Sequence, residues 1–242
     1  MAPDLSAPLL RKLESIAVVP DADKALLRGL RITTRQLAHG DNLVSVGDTP
    51  HFSALVITGM LCRYDVVESG TRQIMSFHLP GDIPDLQSVF LSTMDHSVAS
   101  IGPSTVGLIP HEDLQRAFER SFHLTSVMWR ETLIDSAIFR QWIGNIGGRT
   151  AIVAMAHLLC ELVARGRAIG LIKDDMRFRL PLIQQDLADA LGLSLVHINR
   201  TLRQLRRAGL IVWEPGSLTV LDWEGLQKAG DFDPSYLHLV RD

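Results

Sequence analysis

The chain has 242 residues, of which 46% are hydrophobic, 21% charged and 6% aromatic. These are the proportions of a globular protein with one large or two small domains, and they exclude a disordered tail, a collagen-like fibre and a small disulfide scaffold. With 24 Lys+Arg against 27 Asp+Glu the formal net charge is -3, which taken alone argues against a nucleic-acid or anionic-membrane partner.

The amino-terminal segment MAPDLSAPLLRKL has no basic start followed by an apolar core and a small-residue cleavage site. Nor is there a run of about 18 apolar residues anywhere, so the expected location is cytoplasmic, away from the membrane. Leu9, Leu10, Leu13 and Ile16, then Leu26, Leu27 and Leu30, recur at helical spacing and predict one or two short amphipathic helices over residues 10–30. From residue 31 to 109 the pattern changes to short apolar runs separated by turn residues. The breaks are His39-Gly40-Asp41, Gly47-Asp48, Gly59, Glu68-Ser69-Gly70, Pro80-Gly81-Asp82 and Gly102-Pro103. Runs rich in Val, Ile, Leu and Phe over residues 52–58, 60–67 and 72–78 then read as strands of an antiparallel barrel or roll. Cys62 and Cys160 lie far apart on apolar backgrounds, as buried free thiols in a reducing compartment do, and two cysteines exclude a four-cysteine iron-sulfur cluster.

Beyond Glu112 the chain is predominantly helical. Residues 125–146 contain no Pro and spread apolar side chains over an arc wider than one core-facing stripe, so this helix is expected to be buried from two directions. One side would pack on the roll. The other, through Val127, Ile134, Ile138 and Trp142, would form the seam of a two-fold homodimer, with a single central core helix as the alternative.

Residues 181–211, PLIQQDLADALGLSLVHINRTLRQLRRAGLI, carry the most information. Leu187, Ala188 and Leu191 make the inner face of a short helix, Gly192 ends it, and Ser194 caps the next through its hydroxyl, which is a helix-turn-helix. The second helix, over residues 195–208, is expected to bury Leu195, Ile198, Leu202 and Leu205. Val196, Arg200, Arg203 and Arg207 follow one another on another face, flanked by His197, Asn199 and Gln204. Its first turn suits the major groove, where Arg reads guanine and Asn reads adenine, while arginines further along reach phosphate. Gln185 completes the expected DNA-binding set. Residues 209–213, a Glu214-Pro215-Gly216-Ser217 turn and residues 218–221 read as strand, turn and strand of a wing. An ordinary solvated helix also carries charge runs, but Gly corner, Ser cap, inner apolar spacing and wing occur here in working order.

On the roll punctuation, and on Leu187-Ala188-Asp189-Ala190-Leu191-Gly192-Leu193-Ser194 followed by His197-Ile198-Asn199-Arg200, nearly the whole chain resembles the bacterial Crp-Fnr superfamily of transcription regulators. The resemblance implies an α+β fold: an N-terminal cyclic-nucleotide-binding-like β-roll, a long dimerisation helix and a C-terminal winged helix-turn-helix, divided as residues 1–147 and 148–242. It also implies a homodimer on a near-palindromic operator of double-stranded DNA, with RNA polymerase as a further partner. Arg200 falls at the family's base-contacting Arg. Val196 stands where the best-known members carry a Glu that reads cytosine, so contact with a thymine methyl is expected instead.

The family's effector pocket maps to Gly81, Asp82, Asp85, Leu86, His96 and Ser97, between the roll and the long helix. Relative to members that bind cyclic AMP, Asp85 is one methylene shorter than the ribose-binding Glu, Pro84 lacks an N–H, and His96 replaces the phosphate-binding Arg. A buried phosphodiester needs a permanent cation, so the expected effector is an unidentified small molecule other than cyclic AMP. No metal site or cofactor is expected, since the histidines are scattered and no His-x-His pair occurs. Three readings stay open: an effector-gated regulator with a hinge near Gly147-Gly148, a cupin-like metalloenzyme, and a DNA-binding protein whose roll holds no ligand.

Overall fold

Turn chemistry divides the first part of the chain into short strands. Gly47, Gly59 and Gly81 hold φ of +87°, +88° and +100°, a region that only a residue without a Cβ enters cheaply. The computed structural model describes residues 4–68 and 70–240; residues 1–3, Ser69 of the Glu68-Ser69-Gly70 turn, and residues 241–242 lie outside the described residues. By their contacts the described residues form two units, one of residues 4–65, 77–135 and 239–240 and the other of residues 66–76 and 136–238.

The first unit opens with α1 (Ala7–Glu14) and α2 (Asp21–Arg28). Then come β1 (Thr33–Leu37), β2 (Asn42–Val44), β3 (Phe52–Thr58), β4 (Leu61–Val66), β5 (Arg72–His78), β6 (Ser97–Ser100) and β7 (Ser104–Pro110), followed by α3 (His111–Arg120) and α4 (Phe122–Gly147). The strands form two sheets, ordered β1-β7-β3 and β2-β6-β4-β5. Leu43, Val56, Leu61, Val98 and Val106 join a common core between them. The antiparallel roll predicted from the turn spacing is therefore present, and β3 and β5 have the bounds read from the sequence. The β4–β5 tip and α4 from Ser136 onward belong to the second unit.

The second unit continues with α5 (Ala151–Ala168), β8 (Arg177–Arg179), α6 (Gln184–Leu191), α7 (Leu195–Arg207), β9 (Ile211–Glu214), β10 (Ser217–Val220) and α8 (Trp223–Ala229). The wing is a three-stranded antiparallel sheet, β8-β10-β9. β8 and α8 have no counterpart in the sequence reading. Three residues make too short a run to show a period, yet Phe178 is buried between exposed Arg177 and Arg179, as strand alternation requires.

The face of α4 assigned to dimerisation needs correction. Val127, Ile134, Ile138 and Trp142 are only 5%, 3%, 3% and 4% exposed within their own chain, so they have no area left for a partner. In the second unit the Trp142 indole N–H donates to both carboxylate oxygens of buried Glu161, at 3.3 Å. The same carboxylate accepts from Tyr236 at 3.0 Å and from Arg165 at 3.2 Å. Burial pushes the pKa of Glu161 up, against the pull of these donors. On the other face of α4, Phe122, Trp129, Leu133 and Ile143 are exposed. Phe122, Trp129 and Ile143 fit a seven-residue repeat, with Leu133 at its four-residue offset, which is coiled-coil spacing.

Gly81 also sets where α1 lies. A Cβ there would stand 2.5 Å from the Pro8 carbonyl oxygen and 2.6 Å from the Lys12 Cβ, whereas one at Gly47 would meet nothing within 4 Å. Gly47→Ala should therefore cost about 1–2 kcal/mol from its left-handed backbone alone. Gly81→Ala should cost ~1–3 kcal/mol more through overpacking, read as a larger fall in denaturant midpoint. Equal losses would contradict the α1 contact.

Candidate nucleic-acid interface and effector pocket

In α6 the side chain of Asp186, at the third helical position, accepts the Ile183 backbone N–H at 3.0 Å and so closes the helix start. Gly192 follows its last residue with φ +63° and ψ +32°, and the Leu193 N–H bonds back to the Ala188 carbonyl at 3.1 Å. Ser194 is extended, at φ -70° and ψ +154°, and its Oγ accepts the His197 backbone N–H at 3.4 Å. Corner and cap thus aim α7 away from α6.

On α7, Ile198, Leu202 and Leu205 are buried and pack inward as expected. Leu195 does not: it is 44% exposed, because the first turn projects beyond the core. That moves it from the expected core to the outer face, beside Val196, which is 77% exposed. All nine candidate DNA-binding residues, Gln185, Ser194, Leu195, Val196, His197, Asn199, Arg200, Arg203 and Arg207, are exposed. The Ser194 Oγ also lies 3.2 Å from His197 Nδ1, and the Asn199 side-chain amide donates to the Leu195 carbonyl at 3.0 Å. Gln185 donates to Asp189 at 2.6 Å.

The sequence reading missed Arg72. Within the second unit its Nε donates to Asp189 at 2.7 Å and its terminal nitrogen to Asp186 at 2.8 Å, while the Gln73 side chain donates to the Asp189 carbonyl at 2.7 Å. Two adjacent residues after a surface turn give no sequence signal of this grip on α6.

The residues assigned to the effector pocket are largely buried in the first unit: Asp82, Asp85, His96 and Ser97 are 5%, 0%, 9% and 8% exposed. Gly81 is also buried and Leu86 half-buried. Most of their polar atoms are occupied from within. Asp85 Oδ1 accepts the Ala54 N–H at 2.8 Å, Asp82 accepts the Leu79 N–H at 2.8 Å, and Ser97 accepts the Val46 N–H at 3.2 Å. His96 Nδ1 lies 2.6 Å from Asp95. Burial, then the charge of Arg63, pushes the His96 pKa down, so at neutral pH its ring is uncharged where a phosphate would need a cation. Asp85 Oδ2 is buried without a hydrogen-bond partner, and desolvation pushes the carboxyl up to about 6. Arg63, on β4 between Cys62 and Tyr64, is the residue that reading the pocket from turns alone passed over. A charged residue within a buried strand run was the available signal.

Residues 34–121 match the cyclic nucleotide-binding domain family, and residues 154–229 match the Crp-like helix-turn-helix domain family. The transcriptional activator protein FnrL of Cereibacter sphaeroides is 28% identical over 204 residues, covering 81% of this chain and 80% of the relative. The activator protein anr of Pseudomonas aeruginosa is 27% identical over 217 residues, covering 89% and 86%. The structure of FixK2 from Bradyrhizobium japonicum superposes with a TM-score of 0.73 at 22% identity, covering 82% of this chain and 96% of that one. A roll of the cyclic nucleotide-binding type with a winged helix-turn-helix defines a class of DNA-binding regulators. The chain belongs to the Crp-Fnr superfamily of transcription regulators. Its relatives are regulators and not enzymes, which sets the metalloenzyme alternative aside.

Because the folded pKa of Asp85 is raised, its stabilising contribution is full below the unfolded value near 4 and is lost as pH rises through about 6. At pH 7 the ionised form then costs about 3 kcal/mol relative to pH 4. Asp85→Asn should gain stability over the native chain across that interval and hold the gain above it, measured by thermal unfolding at fixed ionic strength. A difference independent of pH would show that Asp85 does not titrate there.

Proposed function

We propose that the protein is a homodimeric, sequence-specific DNA-binding transcription regulator acting in the cytoplasm. It would bind a near-palindromic operator with two copies of α7 in successive major grooves about 34 Å apart. The observation that carries this reading is the face of α7 opposite Ile198, Leu202 and Leu205, where Val196, Arg200, Arg203 and Arg207 all stand exposed. Arg200 suits a guanine edge, Val196 a thymine methyl, and the later arginines phosphate. RNA polymerase is the further partner such a regulator addresses.

Dimerisation is assigned to the exposed stripe of α4 rather than to the face first expected. Regulation through the roll is assigned to something other than cyclic AMP, since Pro84, neutral His96 and buried Asp85 all disfavour a cyclic phosphate. The domains are taken to divide at Gly147-Gly148, at the end of α4; this point lies inside the second unit, so reorientation there would have to release Trp142 from Glu161.

Arg200→Ala should cost about 1–3 kcal/mol at one base position of the selected operator, while Arg203→Ala or Arg207→Ala should weaken every duplex and lower the salt slope by about 1. Fluorescence anisotropy on operator and random DNA separates the two; equal losses on both for Arg200→Ala would refute direct readout. Trp129→Glu with Leu133→Glu should give a monomer in sedimentation while the fold persists, and a persisting dimer would move the seam elsewhere. Gly148→Pro should alter operator affinity. Unchanged affinity would remove the hinge.

A further inference from the structure

The interior of the first unit holds charge that DNA binding does not use. Arg63, from β4, donates through Nε to the Pro84 carbonyl at 2.6 Å and pairs through its guanidinium with Asp135 of α4. Lys12, from α1, lies 3.0 Å from Asp82 and 3.1 Å from Glu131 of α4. The side chains of Lys12 and Arg63 are 9% and 8% exposed. Glu131 and Asp135 stand four residues apart on the inward side of one helix. Two like charges in that arrangement repel, and burial adds a cost that an apolar pair would avoid. Their presence inside is accounted for by the two cations that come to meet them from α1 and β4.

This arrangement has the geometry of a bridge between the roll and α4, the place where the sequence suggested a ligand would sit. It also disfavours an anionic visitor. The carboxylates of Asp82, Glu131 and Asp135 outnumber the permanent cations Lys12 and Arg63, His78 at 3.8 Å from Asp82 adding charge only when protonated; the guanidinium is already engaged, and an oxygen of Asp85 is buried nearby without a hydrogen-bond partner. We propose that this chain supplies the bridge itself, through Arg63–Asp135 and Lys12–Glu131, and holds its operator-binding form without an anionic effector. The inference rests on the reading of the protein as an operator-binding regulator and names how that operator binding is sustained.

The test uses the full-length chain, dialysed exhaustively and checked by mass spectrometry for retained small molecules, on a duplex selected from a random library. Expected is full affinity with nothing added, unchanged by millimolar cyclic AMP. Asp135→Asn should lower operator affinity about tenfold or more, ~1.4 kcal/mol. Where Asp135→Asn fails to fold, Glu131→Gln carries the same test, because Lys12 keeps Asp82. Thermal midpoints recorded alongside separate a merely structural role, which would lower the midpoint and leave the affinity of the folded protein intact. That outcome, or native-chain binding that appears only on adding a small molecule, overturns the inference while leaving the function in place. Selection that enriches no sequence overturns both.

Discussion

At about 100° per residue, Glu131 and Asp135 fall on one arc of α4 with Leu124, Val127, Met128, Ile134, Ile138 and Trp142. In that arc each carboxylate meets a cation delivered by α1 or β4. Apolar residues cover so much of this helix that hydrophobicity alone would accept several rotations about its axis. The ion pairs admit one. With that rotation set within the first unit, Phe122, Trp129 and Leu133 are left outside. The position of Lys12 depends in turn on Gly81, whose missing Cβ lets α1 lie against the turn. A glycine in the roll thus bears on which face of α4 is left exposed.

The roll was legible because turns between strands need particular residues, and Gly-Asp punctuation marks them whatever the strands bury. The helix-turn-helix was legible because corner, cap and inner face each follow a local rule and agreed with one another. The orientation of α4 was not. A sequence count treats Val127 and Trp129 as equally apolar, and reads Glu131 and Asp135 as surface charge, because the cations that reverse their meaning lie 119 and 72 residues earlier in the chain. Leu195 misled for a related reason: it continues the inner spacing of α7, but the core ends before its turn begins. β8 was too short to show any period at all.

The overall charge of -3 taken alone counts against DNA, and the part of the chain that carries α7 is itself neutral, with 11 Lys+Arg and 11 Asp+Glu over residues 151–242. Placement resolves this. Asp186 and Asp189 are buried and engaged by Arg72, while the four arginines of residues 190–213 are exposed in a segment without acids. Over α6 and α7 the acids lie inside and the arginines outside. Since it can neutralise few phosphates, a DNA-binding protein of this charge gains little from non-specific attraction.

Each unit contains one cysteine, Cys62 in β4 and Cys160 in α5, both 0% exposed and neither in a disulfide. Burial pushes the Cys160 thiol up to about 12, so it stays protonated and poorly nucleophilic at neutral pH. An alkylating reagent can reach either sulfur only when the surrounding structure opens. The rate at which each is modified therefore clocks the opening of its own unit, and the native sequence carries a separate stopwatch for the roll and for the winged helix.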